Sequence, residues 1–188
     1  MKHQNVFNSF YLHRVVYYIG FGIAALFVIS FFFPLLFTVA LIVLLCTTIA
    51  LVADALLIYS KRAGIKAHRL LPERLSNGDD NKIEIQLQNQ YGFAAACTVI
   101  DELPFQFQQR NWQRHLKLPA GDKSIIEYFL KPVERGLYHF GSINVFVSGP
   151  LKLVQRRYSI AAAKEVKVYP SFVQMRRDQL PAIGSRLA

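Results

Sequence analysis

Apolar residues fall along this chain in two regimes. From Val15 to Ala53 they run almost unbroken, 39 residues without an Asp, Glu, Lys or Arg, with Pro34 at the midpoint. As one helix, at about 1.5 Å per residue, this run would reach roughly 58 Å, about twice the ~30 Å hydrocarbon core of a bilayer, so the pattern predicts two helices. Phe31-Phe32-Phe33-Pro34-Leu35 supplies the break, because proline removes a backbone donor and pushes the residue before it out of helical geometry. Residues 1–62 therefore read as a transmembrane helical hairpin with spans at 15–32 and 35–59. A wholly apolar turn suits a re-entrant hairpin as well as a double crossing; arms that each approach ~20 residues favour the crossing. A cleaved signal peptide is excluded, since its apolar core is only about 7–15 residues and ends at a small-residue cleavage site.

From Ala63 onward the apolar positions alternate instead. Ile83, Ile85 and Leu87 alternate with Glu84, Gln86 and Gln88, and Ile143, Val145 and Val147 with Asn144, Phe146 and Ser148, the period of strands with one buried face. Further strands are predicted at 66–71, 95–103, 107–118, 124–131 and 165–169. Ser76-Asn77-Gly78-Asp79-Asp80-Asn81 is a tight-turn signal, because Asn and Gly tolerate positive φ. Its acidic pair invites a calcium loop, but the ordered ligand alternation and later bidentate Glu are missing. Glu134-Arg135-Gly136-Leu137-Tyr138 closes one β run and opens the next, with the glycine in a turn or bulge. Seven or so short strands in 63–170 predict an all-β immunoglobulin-like sandwich, which makes the whole an α+β membrane protein. Residues 171–188 show little alternation and read as a linker or the truncated start of a further domain.

Charge adds orientation. Lys2 and Arg14 precede the first helix, Lys61, Arg62, Lys66 and Arg69 follow the second, and none occupies the connecting turn, which predicts both termini on the cytoplasmic side of the membrane. Of the net charge of +10, +7 lies from Ala63 onward, and such a surface beneath an anionic leaflet is attracted to its headgroups. No zinc-finger spacing, RNA-recognition signature or basic helix accompanies the charge, so nucleic acid is not expected as a partner. Cys46 in the second span and Cys97 in the soluble part suit a reducing compartment and fit no metal-ligand spacing.

Candidate chemistry is sparse. Arg14 and Asp54 each stand twenty residues from Pro34, so an antiparallel hairpin brings them level as an intramembrane ion pair; the alternative is that Asp54 snorkels to the interface. Arg110, Trp112, Arg114 and Lys117 form a basic-aromatic stretch that is either an interaction surface or a hairpin whose aromatics fill the core. The five histidines lack motif context, and Asp101-Glu102 point to opposite faces of a strand, so no catalytic, metal-binding or cofactor-binding residues are expected.

A membrane hairpin with Asp near its end, followed in order by Arg74-Leu75-Ser76-Asn77-Gly78-Asp79, Asp101-Glu102-Leu103-Pro104, Arg135-Gly136-Leu137-Tyr138 and Val168-Tyr169-Pro170-Ser171, resembles the front half of the bacterial domain-of-unknown-function family 58. The resemblance implies a membrane-anchored β-sandwich followed by a von Willebrand A-like domain, working beside a MoxR-type AAA ATPase. The chain contains no Asp-x-Ser-x-Ser motif of that later domain, and it has Lys152 where glycine is common in the family. The function expected is a non-enzymatic scaffold presenting the sandwich to protein partners; the alternatives are a module that binds anionic lipid and an accessory subunit in maturation of another complex.

Overall fold

The computed structural model describes residues 9–109 and 111–170, so the expected linker at 171–188 lies outside the described residues. Two helices follow a short strand, β1 (Phe10–Leu12): α1 (Arg14–Ile29) and α2 (Pro34–Tyr59). His13 caps α1 through Nδ1, which accepts the Val15 N–H at 3.3 Å. The helix ends short of the expected Phe32 because the chain tightens into a turn: Phe31 N–H donates to Val28 O and Phe32 N–H to Ile29 O, while the Ser30 hydroxyl donates to Phe27 O. Pro34 then opens α2 as its first residue, where its fixed φ fits and no donor is wasted. Thr47 and Thr48 turn their hydroxyls back to Val43 O and Leu44 O at 2.8 Å, satisfying them without water.

The two helices pack as an antiparallel pair, with Phe27 edge-on to Phe37. At about 1.5 Å per residue α1 is roughly 24 Å long and α2 roughly 39 Å. Among the described residues only α2 is long and apolar enough to cross a membrane, with a mean hydropathy of 2.8. The expectation of two full spans is thus not supported by the 16 residues of α1.

After the helices come ten strands: β2 (Ile65–Leu70), β3 (Arg74–Ser76), β4 (Asn81–Asn89), β5 (Ala95–Asp101), β6 (Gln113–Leu118), β7 (Lys123–Leu130), β8 (Gly136–Phe140), β9 (Ile143–Ser148), β10 (Val154–Ile160) and β11 (Lys164–Tyr169). One layer has the order β1-β10-β9-β5-β6; the other comprises β2-β4-β7 and a separate β3-β11-β8. With β2-β4-β7 opposed to β10-β9-β5-β6, the strands divide as in an immunoglobulin-like sandwich. The expected alternation of β4 is observed, with Ile83, Ile85 and Leu87 all buried. In β9 it fails on one side: Asn144 and Ser148 are buried too, Asn144 beneath its bonds with Glu102 and Arg157 and Ser148 beside Gln155. Gly78 (φ +77°) and Gly136 (φ +144°) take the positive φ expected of them.

One apolar core runs through all three sheets, and Ile58 of α2 belongs to it. A buried ion pair pins it. The Arg69 guanidinium grips the Asp101 carboxylate through Nε and Nη2, and its remaining donors reach Gly141 O and Ala162 O at 3.0–3.1 Å. The Tyr128 hydroxyl donates to the same carboxylate. Burial holds the Asp101 carboxyl above the ordinary carboxylate range, and the Arg69 charge and the Tyr128 bond pull it back. Arg69 and Lys66 lie in β2, so the cations flanking the hairpin on this side are Lys61 and Arg62 alone.

Removing one partner of this pair strands a charge in the core, so Asp101→Ala is expected to cost about 3–5 kcal/mol, measured by chemical unfolding of the detergent-solubilised chain. The paired replacement Arg69→Met with Asp101→Leu is expected to cost clearly less than Asp101→Ala alone.

Candidate functional site at the hairpin junction

Asp54 sits five residues before the end of α2 and has no solvent exposure. A charge there needs donors. They come from the turn between β9 and β10: Leu151 N–H donates to Oδ1 at 3.1 Å, and Leu153 and Val154 N–H donate to Oδ2 at 3.0 and 2.9 Å. Such charge-assisted bonds are short and strong, and three of them seat the turn on the helix. Gly149 is required here by contact, since a Cβ would overlap the Asp54 carboxylate. Lys152 completes the turn in the left-handed region at φ +56°, at the position where the resemblance expected glycine.

The anticipated pairing of Arg14 with Asp54 is therefore corrected. Among the described residues no ion pair joins them; Arg14 is exposed at the start of α1, and the backbone donors of the turn answer the carboxylate. Equal spacing from Pro34 gave the two residues similar depth, not contact.

The last turn of α2 is held by a second set of bonds. Arg156 of β10 donates through Nη1 to Ile58 O at 3.2 Å and Lys61 O at 2.8 Å, and through Nη2 to Arg62 O at 3.2 Å. A cation at a helix C-terminus also opposes its dipole. The guanidinium stacks on Tyr59 and Tyr158, 4.5 and 4.7 Å from their ring centres. A relay of hydroxyls lies beside it. Gly64 N–H donates to Tyr158 Oη, which is 2.5 Å from Tyr91 Oη, and Tyr91 donates to Ile58 O at 2.7 Å. Burial, with the Tyr158 bond, pushes the Tyr91 phenol well above its ordinary range, so it stays a donor. Gly64 is fixed by the same packing, because a Cβ would enter the Tyr91 ring.

The other end of the hairpin is tied to the same place. β1 pairs antiparallel with β10, Phe10 opposite Arg156 and Leu12 opposite Val154, and His13 N–H donates to Leu153 O at 2.9 Å. Phe10 stacks on Tyr59. Both ends of the hairpin thus return to β10 and the turn before it.

The basic-aromatic stretch divides. Trp112 is half-buried with its ring 4.4 Å from that of Tyr128, a core-filling role, while Arg114 and Lys117 project from β6 into solvent. Arg110 lies outside the described residues. Asp101 and Glu102 do point apart: Glu102 accepts the Ser142 N–H and the Asn144 amide, and Gly141 leaves it room. Burial pushes the Cys97 thiol up to about 12, so it offers no thiolate at neutral pH. His139 faces Glu165 and His115 faces Thr98, each on an exposed strand face. No group of three or more metal-ligating side chains occurs among the described residues.

No family model matches the chain, and no curated protein matches it. Among solved structures it is similar to the CARDB domain of the PF1109 protein from Pyrococcus furiosus, determined in complex with di-metal ions, at 14% identity and a TM-score of 0.41 over 56% of this chain and 87% of that one. It is also similar to the C-terminal domain of wzt, at 17% identity and a TM-score of 0.35 over 59% of this chain and 77% of that one. A beta-glucosidase from Listeria innocua matches at 18% identity and a TM-score of 0.36, over 57% of this chain but 16% of its own length.

Asp54→Ala is expected to destabilise the junction by on the order of 3 kcal/mol or more, since each orphaned buried donor costs about 1–3 kcal/mol. Gly149→Ala acts by displacing the same carboxylate, so in a double-mutant cycle followed by chemical unfolding the pair costs clearly less than the sum of the single changes.

Proposed function

We propose that this protein is a membrane-anchored, non-enzymatic scaffold whose hairpin enters the inner membrane from the cytoplasmic side and whose sandwich presents a fixed face to protein partners. The double attachment of the hairpin carries this reading. A domain on a flexible tether samples every orientation, whereas here β1 on one side and Asp54, Ile58 and Arg156 on the other lock the sandwich to α2. Such rigidity suits a platform that holds one surface toward the cytoplasm.

The exposed apolar surface of α2 and the adjoining Phe31-Phe32-Phe33 turn support insertion, because apolar side chains of this number have no other solvent that accepts them. Lys61, Arg62 and Arg14 at the sandwich end, with no cation in the turn, support cytoplasmic placement of both ends. The ordered motifs resembling domain-of-unknown-function family 58 add a MoxR-type AAA ATPase as the partner class.

The chain is expected to remain in the membrane pellet after an alkaline carbonate wash, and a reporter fused after Ala188 is expected to work only as a cytoplasmic enzyme; release by the wash, or activity outside the cytoplasm, would overturn the anchor or its orientation. Affinity purification of the full chain in mild detergent is expected to bring down an AAA ATPase. Its absence, with the chain intact, counts against the partner assignment.

A further inference from the structure

Asp54 lies twenty residues beyond Pro34, roughly 30 Å along α2, which is the thickness of a bilayer's hydrocarbon core. On the hairpin reading above α2 carries the crossing, with the Phe31–Phe33 turn toward the far boundary and Asp54 at the near one, and the turn from Gly149 to Val154 stands there with it.

That turn is built in an unusual way for a surface loop. Every N–H it owns has an acceptor inside the protein: Gly149 N–H meets Val154 O at 3.0 Å, Lys152 N–H meets Gly149 O at 3.0 Å, and Leu151, Leu153 and Val154 share the Asp54 carboxylate. Pro150 has no N–H to satisfy. A loop in water has no need of this, because solvent supplies acceptors; irregular backbone at membrane depth persists only where its polar groups are answered by protein. The side chains run the other way. Pro150, Leu151 and Lys152 are exposed, with Leu151 at 52%, and the Leu151 backbone is bonded to Asp54 of α2, whose own surface carries exposed apolar side chains. The His13 bond to Leu153 brings Arg14 to the same level, and neither Arg14 nor Lys152 is in an ion pair among the described residues.

We propose that the Pro150-Leu151-Lys152 turn is a lipid-contacting wedge: Leu151 enters the boundary of the bilayer that receives the hairpin, while Lys152 and Arg14 bind its anionic headgroups. This rests on the hairpin reading above. It makes the membrane itself a ligand of the sandwich, and it gives the Asp54 carboxylate its reason, since it removes from a lipid-facing turn the donors that lipid cannot satisfy. Lysine suits the tip, its stem lying along the apolar surface and its ammonium reaching up to phosphate.

The test uses the full chain in nanodiscs of phosphatidylcholine with one-third phosphatidylglycerol. Spin labels are placed at Leu151→Cys and, separately, at Ile125→Cys on the exposed face of β7, each with Cys46→Ala; a third sample carries the label on native Cys46. Relative collision with oxygen and with a polar nickel chelate is read at each site. The wedge predicts a ratio favouring oxygen at Leu151 at least threefold above that at Ile125. Equal ratios at the two sites would overturn it, as would a Leu151 label shielded from both reagents, which would mean that another protein segment covers the turn. An aqueous signal at Cys46 would instead sink the hairpin reading, so the two failures are distinguishable. For the headgroup half, phosphatidylglycerol is expected to raise the unfolding temperature over pure phosphatidylcholine, and Lys152→Gln to remove about half of that rise. A rise unchanged in Lys152→Gln overturns the headgroup contact; the Lys152 side chain is exposed and its backbone bonds are unaffected, so the variant folds.

Discussion

A carboxylate with no water around it must be answered at once by donors or it unfolds what surrounds it. Asp54 finds its donors in another part of the chain, 97 to 100 residues away, and this single choice couples the two halves of the molecule. Had a guanidinium on α1 answered it, the hairpin would be internally complete and the sandwich could hang from it by a linker. Because main-chain N–H groups of the β9–β10 turn answer it, the helix cannot leave the sandwich without stranding the acid and its three donors together. Gly149 has no side chain, and Lys152 accepts a left-handed backbone, to make that geometry available.

The second buried acid, Asp101, follows the same logic with a different partner. It is met by a side-chain cation, and Arg69 spends its remaining donors on the carbonyls of Gly141 and Ala162, so one residue of β2 ties together β5 and two connecting turns. The two acids thus stabilise at different scales. Asp101 closes the sandwich on itself, and Asp54 fixes the closed sandwich to its helix. Between them Arg156 and the Tyr91–Tyr158 pair seal the end of α2, whose Ile58 is as much a core residue of the sandwich as any strand position.

Much of the architecture was legible from residue patterns, for reasons that are physical. A run of 39 residues without charge has few homes, and a proline at its centre, which removes a backbone donor, marks where one helix stops and another can begin. The alternation in β4 was plain because that strand has one wet face. β10 escaped notice: Gln155-Arg156-Arg157 shows no apolar alternation, since Arg156 is spent on the helix end and Arg157 on Asn144. β1 was hidden because three apolar residues before a long apolar run carry no period of their own. The partner of Asp54 was beyond reach for a deeper reason, because backbone donors belong to every residue alike and leave no mark in a sequence. The one available signal was the Ser148-Gly149-Pro150 corner with lysine in a glycine-like position, which spoke of unusual backbone geometry without saying what it served.

The pairing of β1 with β10 makes the hairpin an insertion within the sandwich rather than an extension in front of it. Phe10 cannot find Arg156 until 146 further residues have been synthesised, on the order of ten seconds at ordinary elongation rates. In that interval the apolar helices have already left the ribosome, while the strand that precedes them waits with an unpaired edge. Closing so long a loop is entropically costly, but the packing of α1 against α2, which returns β1 to the end of α2, removes much of that freedom in advance. The hairpin thereby takes part in the order of assembly: the helices pair first, the sheet closes afterwards, and β1 is among the last strands to be paired.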